Sequence, residues 1–365
     1  MHPTVLEIDL GALTHNYNYL RSKLSPTVKM MAVVKAFGYG SEAVAVAQKL
    51  EALGIDYFAV AYASEGVALR DAGIRTPILV LHPQPVSFDH IIDRCLEPSI
   101  YSFRVLELFL ASAERKNQKD YPVHLKFNTG LNRLGFGPQQ TEEVLDQIAD
   151  KATVRVRSVF SHLVASEDLK LQDFTLNQIE TFSEVAKKIQ QRFKHRVFLH
   201  QSNTSAIINF PQAQFDLVRT GIGLYGYGNT PEEDEKLMPV ATLKSIISQI
   251  HQVKEGDSVG YNRAHFATKE ERIAVIPIGH ADGISRAFGK GKGYVTIAGK
   301  QAPIVGNVCM DMLMVDVTGI DCEEGDNVEI FGKNASAVDL AARINSIPYE
   351  LITAISQRIP RKLIG

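Results

Sequence analysis

The most informative segment of the chain is Ala32-Val33-Val34-Lys35-Ala36-Phe37-Gly38-Tyr39-Gly40, because it ends an apolar strand with a lysine and follows it with a glycine-rich turn. A lysine amine at the carboxyl end of a buried strand is partly desolvated. Desolvation lowers its pKa and makes it a nucleophile toward an aldehyde group, and later a base. The segment therefore predicts a buried strand that ends at a reactive lysine, Lys35.

The same pattern repeats along the first part of the chain. From residue 11 to about 226, short apolar runs alternate with longer amphipathic segments, and Gly, Pro, Asn or Asp punctuates each run. This βα rhythm matches a (β/α)8 barrel of the TIM type, an α/β fold, better than an open sheet. A helix precedes the first run, with Leu13, Tyr17, Leu20 and Leu24 on one face. The predicted barrel strands are Met31–Lys35, Tyr57–Ala61, Ile78–Leu81, Ser99–Ser102, Val123–Phe127, Val156–His162, Val197–His200 and Asp216–Arg219.

The pattern changes after Pro231 to strands separated by Gly-rich and Asp-rich turns, which predicts a mostly β second domain. We therefore expect a barrel at residues 11–230 and a β domain at 231–365, joined by a solvated acidic linker, Pro231–Glu235. Period-two alternation near the start predicts that residues 1–10 pair into the β domain. The predicted strands of this domain are Thr242–His251, Ile273–Ile278, Tyr294–Ile297, Leu313–Val317 and Val328–Ile330.

Length and composition narrow the class of protein. A chain of 365 residues is too long to fold around one ordinary hydrophobic core, so we expect two domains. Hydrophobic residues make up 45% of the chain, which is enough to fill both cores. A net charge of −2 gives no electrostatic reason for a nucleic-acid or membrane partner. The three cysteines lack the spacing of a zinc site or a disulfide framework. With no signal-peptide pattern and no run of ~18 apolar residues, we expect a cytoplasmic protein without a membrane span.

Polar residues follow several of the predicted strands at their carboxyl ends. In (β/α)8 barrels these ends meet at one mouth, where the chemistry takes place. Because several polar groups are costly to bury together without a polar ligand, they predict a ligand site at this mouth. The residues expected to meet there are Lys35, Lys126, Asn128, His162, His200, Asn203 and Arg219.

Glycines after the eighth strand indicate a phosphate site. The run 221–226 fits the GxGxxG pattern, but an acidic run follows it where a dinucleotide-binding fold needs a helix and a strand. Asn203 and Thr204 after strand seven, with Gly221 and Ile222 after strand eight, lie where barrels commonly bind phosphate. A phosphate-bearing aldehyde cofactor fits both this corner and Lys35.

Over essentially its whole length the chain resembles the alanine racemase family of pyridoxal 5'-phosphate enzymes. The resemblance rests on several motifs that occur in the family's order. They are AVVKAFGYG at 32–40, HLKFNTGLNRLGFG at 124–137, SHLVASED at 161–168, VRTGIGLYG at 218–226, IGHADG at 278–283, GNVCMDMLMVDVT at 306–318 and YELITAISQRIPR at 349–361.

The resemblance implies a homodimer that inverts alanine with two bases. Lys35 would carry the cofactor covalently and act as the base on one face of the substrate, and Tyr261 from the partner subunit would act on the other. Both side chains have ordinary pKa values near ~10, so each pKa must be lowered for this role. The residues implied to surround the cofactor phosphate are Tyr39, Asn203, Thr204, Gly221, Ile222 and Tyr349.

Further roles follow from the same resemblance. Arg219 would face the pyridine nitrogen of the cofactor, with His162 beside the ring. Arg133 would contact the substrate carboxylate, supported by Lys126, which the family often carries as a carbamate. The residues implied to border the substrate from the partner subunit are Met310 and Asp311.

Other functions remain open at this point. His280 stands where the family usually has a tyrosine at the entrance, so a broad-specificity, serine or lysine racemase is an alternative. Arg219 counts against a related amino-acid decarboxylase, because such enzymes carry an acidic residue there. A non-catalytic cofactor carrier would need neither a second domain nor Tyr261. If the product is D-alanine, the family's role is the supply of D-alanine for peptidoglycan.

Overall fold

The computed structural model describes residues 3–365, beginning with strand β1 (Val5–Asp9) and helix α1 (Leu10–Ser22). The Asp9 carboxylate accepts a hydrogen bond from Ala12 N at 2.9 Å and caps the helix. Leu13, Tyr17 and Leu20 are buried on one face of α1, as predicted, whereas Leu24 lies beyond the end of the helix.

Among the described residues, eight parallel strands form the first sheet and confirm the (β/α)8 barrel. Each strand except the seventh pairs with the next, and the last pairs with the first. At the remaining seam, Asp216 N donates to Leu199 O at 3.0 Å and Arg219 N donates to Ser202 O at 3.1 Å. The strands are β2 (Lys29–Val33), β3 (Tyr57–Val60), β4 (Ile78–Val80), β5 (Glu97–Ile100), β6 (Tyr121–Lys126), β7 (Val154–Phe160), β8 (Phe198–His200) and β9 (Leu217–Thr220).

Helices alternate with these strands and cover the barrel. In α6, for example, Val105, Leu106 and Phe109 are buried on one amphipathic face. In the described part of the chain no helix is both long and apolar enough to cross a membrane. The helices are α2 (Lys35–Tyr39), α3 (Ala43–Ala52), α4 (Ala63–Asp71), α5 (Phe88–Asp93), α6 (Phe103–Arg115), α7 (Thr141–Ile148), α8 (Gln172–Arg192) and α9 (Thr204–Asn209), with 3-10 turns at Pro85–Ser87, Pro138–Gln140, Leu169–Leu171, Pro211–Ala213 and Ile222–Tyr225.

The first barrel strand ends at Val33, two residues before the predicted end. The reason is a left-handed turn, because Ala36, Phe37 and Gly38 have φ values of 53°, 55° and 63°. This conformation costs about 1–2 kcal/mol for each residue that has a Cβ. Strain of this kind is concentrated at functional sites. The turn places Lys35 at the mouth of the barrel.

Within residues 3–365, nine strands form the sheet of the β domain, in the order β11-β14-β17-β16-β15-β18-β10-β1-β19. Strand β1 runs antiparallel to β10 and parallel to β19. Met1 and His2 of the predicted segment 1–10 lie outside the described residues. The remaining elements are α10 (Pro231–Asp234), β10 (Ala241–Ile246), β11 (Gln249–Val253), β12 (Ser258–Val259), β13 (His265–Phe266), β14 (Glu271–Ile276), β15 (Tyr294–Ile297), β16 (Lys300–Val305), β17 (Leu313–Asp316), β18 (Asn327–Phe331), α11 (Ala337–Arg343), α12 (Pro348–Ala354) and β19 (Arg361–Ile364), with 3-10 turns at Tyr261–Arg263, His280–Asp282 and Arg286–Phe288.

One expectation for the second part of the chain was wrong. The predicted strand Thr242–His251 is two strands, because Ile247 N and Ser248 N donate to Asp326 O and Val275 O, on different neighbours. In the acidic run, which begins the short helix α10, Pro231, Glu232 and Glu235 are exposed, as expected of a solvated connection. Glu233 of this run is buried and accepts a hydrogen bond from Asn229 N at 3.0 Å.

Candidate active site

A cavity of about 560 Å³ opens at the carboxyl ends of the barrel strands. We call it the mouth cavity. It brings together most of the predicted site residues of the barrel with Tyr349, which lies far along the chain on α12. The predicted residues that line it are Lys35, Tyr39, Lys126, Arg133, His162, Asn203, Thr204, Arg219, Gly221, Ile222 and Tyr349.

Positive charge dominates the mouth cavity. Lys35, Lys126, Arg133 and Arg219 line it, and none of the Asp and Glu residues in 3–365 does. Desolvation, followed by the nearby charge of Arg133, lowers the pKa of Lys35, as predicted. Desolvation also lowers the pKa of Lys126 to about 8, with smaller effects from Arg133, Arg219 and Lys35. An anionic ligand would neutralise this cluster.

Arg219 projects from β9 and is 4% exposed. Its guanidinium donates to Ser161 O at 2.7 Å and Gln201 O at 3.2 Å, and it contacts His200 Nδ1 at 2.8 Å and His162 Nδ1 at 3.1 Å. Desolvation lowers the pKa of Arg219 to about 9, so the guanidinium stays protonated at neutral pH. Because these acceptors face it from several directions, the guanidinium is held in one orientation.

His200 and Asn128 do not line the mouth cavity, contrary to expectation. The His200 side chain is fully buried inside the barrel next to Arg219, because alternate residues of a barrel strand point inward. The Asn128 side chain closes its own loop instead. It donates to Asn132 Oδ1 at 2.9 Å and accepts from Gly130 N at 3.2 Å.

One corner of the mouth cavity is built from tyrosines and a glycine. Tyr39 stacks on Tyr225 with ring centroids 4.5 Å apart, and Tyr349 lies 6.0 Å from Tyr39. A Cβ on Gly221 would lie 2.3 Å from the Tyr39 hydroxyl oxygen, so this approach needs glycine. Burial raises the pKa of Tyr349 to about 12, and burial also raises the pKa of Tyr39. Neutral hydroxyls beside a close backbone suit a phosphate group.

Several lining residues were not predicted. Three of them, Val33, Ala61 and Leu81, lie at or just beyond strand ends, as Lys35 does, but apolar side chains give no chemical signal in a sequence. Phe160 lies beneath the cations, with Lys126 Nζ 5.8 Å and the Arg219 guanidinium carbon 5.3 Å from its ring centroid. The others are Tyr62, His82, Leu134 and Ser205.

The other predicted site residues lie in a groove of about 900 Å³ on the β domain, which we call the domain groove. Tyr261 and Met310 are 71% and 59% exposed, and Asp311 lines the same groove. Within residues 3–365 this groove shares no lining residue with the mouth cavity. One chain therefore brings Tyr261, Met310 and Asp311 together, but not with Lys35.

Local contacts hold the residues of the domain groove. Asn307 Nδ2 donates to the carbonyl oxygen of Tyr261 at 3.0 Å. Arg358 donates to Asp311 Oδ1 and to Asp282 Oδ1, both at 2.6 Å. His280 lines neither cavity. It is exposed, and its backbone N–H donates to Cys309 O at 2.9 Å, next to Met310.

Comparison with known proteins agrees with this architecture. The family models for the N-terminal and C-terminal domains of alanine racemase match residues 8–229 and 240–363. The alanine racemase 2 of Caldanaerobacter subterraneus subsp. tengcongensis is 34% identical over 99% of this chain and 95% of its own length. The solved alanine racemase of Clostridium difficile has a TM-score of 0.93 at 32% identity, over 100% of this chain and 96% of that one.

A second solved structure bears on the cofactor. It is an alanine racemase from Bartonella henselae with covalently bound pyridoxal phosphate, with a TM-score of 0.90 and 27% identity over 100% of both chains. The matches span the barrel and the β domain alike. This chain belongs to the alanine racemase family.

Proposed function

We propose that the protein is a pyridoxal 5'-phosphate-dependent alanine racemase that interconverts L-alanine and D-alanine. The observation that carries the proposal is the mouth cavity, where Lys35, with its lowered pKa, meets the buried Arg219 and no carboxylate among the described residues. A fold-related decarboxylase would carry an acidic residue in place of Arg219. The cavity therefore favours racemisation.

The mouth cavity fits pyridoxal 5'-phosphate. Its cationic lining suits an anionic ligand. Room for a phosphate group is left beside the Gly221 backbone, where a Cβ would obstruct it. The corner is formed by Tyr39, Thr204, Gly221, Ile222 and Tyr349. Asn203 and His162 complete the proposed cofactor site. When bound, the cofactor withdraws electron density from the amino-acid α-carbon and makes its proton acidic.

Proton transfer at the α-carbon is assigned to two residues. Lys35 would hold the cofactor and accept or return the α-proton on one face, because its lowered pKa favours the uncharged amine. Inversion also needs a proton donor on the opposite face. Tyr261 would serve there from a partner subunit, which is supported by its exposed position in a groove apart from the mouth cavity. The protein would then be a homodimer.

Arg219 would control which reaction follows proton removal. We place its guanidinium against the ring nitrogen of the cofactor. Since a guanidinium holds its proton more tightly than a pyridinium, Arg219 would leave that nitrogen unprotonated. Arg219 would thereby limit the negative charge that the ring can take up, which would favour return of the proton to the α-carbon over transamination.

Arg133 would bind the substrate carboxylate from the mouth cavity, while Met310 and Asp311 would border the substrate from the partner subunit. Lys126 has a pKa of about 8, so its uncharged amine is accessible and its carbamylation is favoured. A carbamate there would offset the charge of Arg133.

We also propose the cellular setting and the division of the chain. The enzyme would work in the cytoplasm and supply D-alanine for peptidoglycan. The domain boundary would fall between residues 230 and 231, with residues 1–10 belonging to the β domain. The pairing of β1 with β10 and β19 supports that division.

Chiral analysis tests the proposed reaction. L-alanine, L-serine and L-lysine are incubated separately with the cofactor-loaded protein, and Lys35→Ala is the control. We expect D-alanine to form fastest, and only when Lys35 is present. Faster inversion of serine or lysine would reassign the substrate and direct attention to His280, and absence of inversion would refute racemisation.

A further inference from the structure

A chain of hydrogen bonds crosses the interior of the barrel below Arg219. His200 Nδ1 lies 2.8 Å from Arg219 Nη1, and its Nε2 lies 2.8 Å from Ser158 Oγ. Ser158 Oγ is 2.5 Å from His124 Nδ1, and His124 Nε2 is 2.6 Å from Glu97 Oε2. Each member comes from a successive strand, from β5 to β9. We call this chain the barrel relay.

The protons of the barrel relay can be assigned from its ends. Arg219 can only donate, so His200 Nδ1 must accept and the His200 proton is on Nε2. That proton goes to Ser158 Oγ. The Ser158 hydroxyl then donates to His124 Nδ1, which leaves the His124 proton on Nε2, directed at the Glu97 carboxylate. Every donor and acceptor of the relay is satisfied in this one direction.

Reversing the relay would leave it unsatisfied. If Ser158 donated to His200 Nε2, the neutral His200 would carry its proton on Nδ1, facing a donor of Arg219. A buried donor without an acceptor costs about 1–3 kcal/mol. Desolvation and the charge of Arg219 both lower the pKa of His200, which agrees with a neutral ring.

Packing holds the relay rings in place. The His200 ring stacks on Phe160 with centroids 4.8 Å apart and planes 8° from parallel. The His124 ring meets Tyr57 edge to face at 6.1 Å. His200, His124 and Ser158 are each at most 2% exposed. In this setting a ring flip of His200 would have to pass the packed Phe160 ring, and it would replace both hydrogen-bonding nitrogens by carbon atoms.

We propose that Glu97, His124 and Ser158 are positioning residues that hold His200 in its Nε2–H tautomer and thereby fix Arg219 toward the cofactor. This inference rests on the proposed racemase function. It predicts that reaction specificity depends on a carboxylate that lies four strands along the barrel from Arg219. Losing the relay should favour transamination, in which alanine is oxidised to pyruvate and its amino group passes to the cofactor.

The first test compares two buried serines. Ser158→Ala removes the middle of the relay, whereas Ser99→Ala removes a buried hydroxyl that has no hydrogen-bond partner within residues 3–365. Nitrogen-15 NMR of histidine-labelled holoenzyme reads the His200 tautomer, with His200→Asn to assign its signals. The ratio of pyruvate to D-alanine formed is measured in the same preparations.

We expect Ser158→Ala to lose the single Nε2–H tautomer of His200 and to raise the pyruvate-to-D-alanine ratio several-fold, while Ser99→Ala changes neither. A purely structural role would lower both products together and leave their ratio unchanged. An unchanged tautomer and ratio in an active Ser158→Ala enzyme would overturn the relay while the racemase function stands. Absence of racemisation in the unmodified protein would instead refute the proposed function.

A second pair of variants tests whether Glu97 acts as a hydrogen-bond acceptor or through its negative charge. Glu97→Gln keeps an oxygen that can accept from His124 Nε2–H, so the wild-type tautomers should persist. Glu97→Leu removes the acceptor and should behave like Ser158→Ala. If Glu97→Leu folds and keeps the wild-type tautomers and product ratio, Glu97 has no positioning role.

Discussion

Among single residues, Arg219 leads to the most specific prediction about the reaction. We expect Arg219→Glu to raise transamination relative to racemisation, because a carboxylate can accept a hydrogen bond from a protonated ring nitrogen and stabilise its charge, and a guanidinium does not. Arg219→Lys is the control that keeps a positive charge. Pyruvate and D-alanine are measured from the same reaction, and an unchanged ratio in Arg219→Glu would remove this account of Arg219.

Lys126 provides a prediction about pH. Because its pKa is lowered to about 8, its amine loses its proton as pH rises through that value, and only the uncharged amine attacks carbon dioxide. We therefore expect carbamate to appear above about pH 8 and to decline below it. Carbon-13 NMR with labelled bicarbonate would detect it, and Lys126→Ala should lack the signal. A signal that persists in Lys126→Ala, or none above that pH, would contradict the prediction.

The sequence predicts residues of the mouth cavity well where polarity coincides with a strand end. Lys35 and Arg219 were found in this way. The position of His200 was not, because at the last residue of a strand the direction of the side chain depends on the pleat and not on residue type. Similarly, two glycines near Lys35 hinted at a turn, but nothing in Ala36 or Phe37 revealed a positive φ.

Among the elements, the left-handed turn after β2 leads to a testable prediction about the free energy of unfolding. Gly40 and Gly54 have similar φ values of 80° and 84°. A Cβ on Gly40 would lie 2.2 Å from Ile352 O of α12, whereas no atom outside its immediate chain neighbours lies within 4 Å of one on Gly54. Both Ala variants should share the left-handed cost of about 1–2 kcal/mol.

Gly40→Ala should therefore lower the free energy of unfolding by about 1–3 kcal/mol more than Gly54→Ala, because of the collision with Ile352. Urea unfolding of the two variants measures this difference. Equal losses of stability would mean that α12 can move away from the turn at little cost.

Helices and strands were predictable where the local sequence pattern and the pairing with neighbouring strands indicate the same element. The eight barrel strands were found because each is a buried apolar run with turn residues at its ends. Thr242–His251 has the pattern of one strand, but its two halves hydrogen-bond to different strands. Local periodicity does not show which strand a segment will pair with. Strand β19 was missed because its exposed, lysine-containing sequence gives little alternation.

For the whole molecule, the proposed two-base mechanism requires a second chain, because the mouth cavity and the domain groove lie apart in one chain. A base supplied by a partner makes activity depend on association. We therefore expect activity per chain to fall on dilution, in step with the dimer fraction measured by analytical ultracentrifugation. Full activity in a monomeric preparation would contradict a shared site.

The long-range arrangement of the molecule was only partly visible in the sequence. Alternation in the first residues indicated a strand apart from the barrel, and β1 lies in the sheet of the β domain. Tyr349 lines the mouth cavity beside Tyr39. Only the family resemblance predicted this position, because no local pattern relates residues so far apart.

Complementation between Lys35→Ala and Tyr261→Phe shows whether each active site of the proposed racemase combines two chains. Each variant alone should lose about 10²-fold or more of D-alanine formation. When they are co-expressed in equal amounts, half of the dimers are mixed and each mixed dimer has one intact site of two, so about one-quarter of wild-type activity should return. No gain over the separate variants would contradict the shared site.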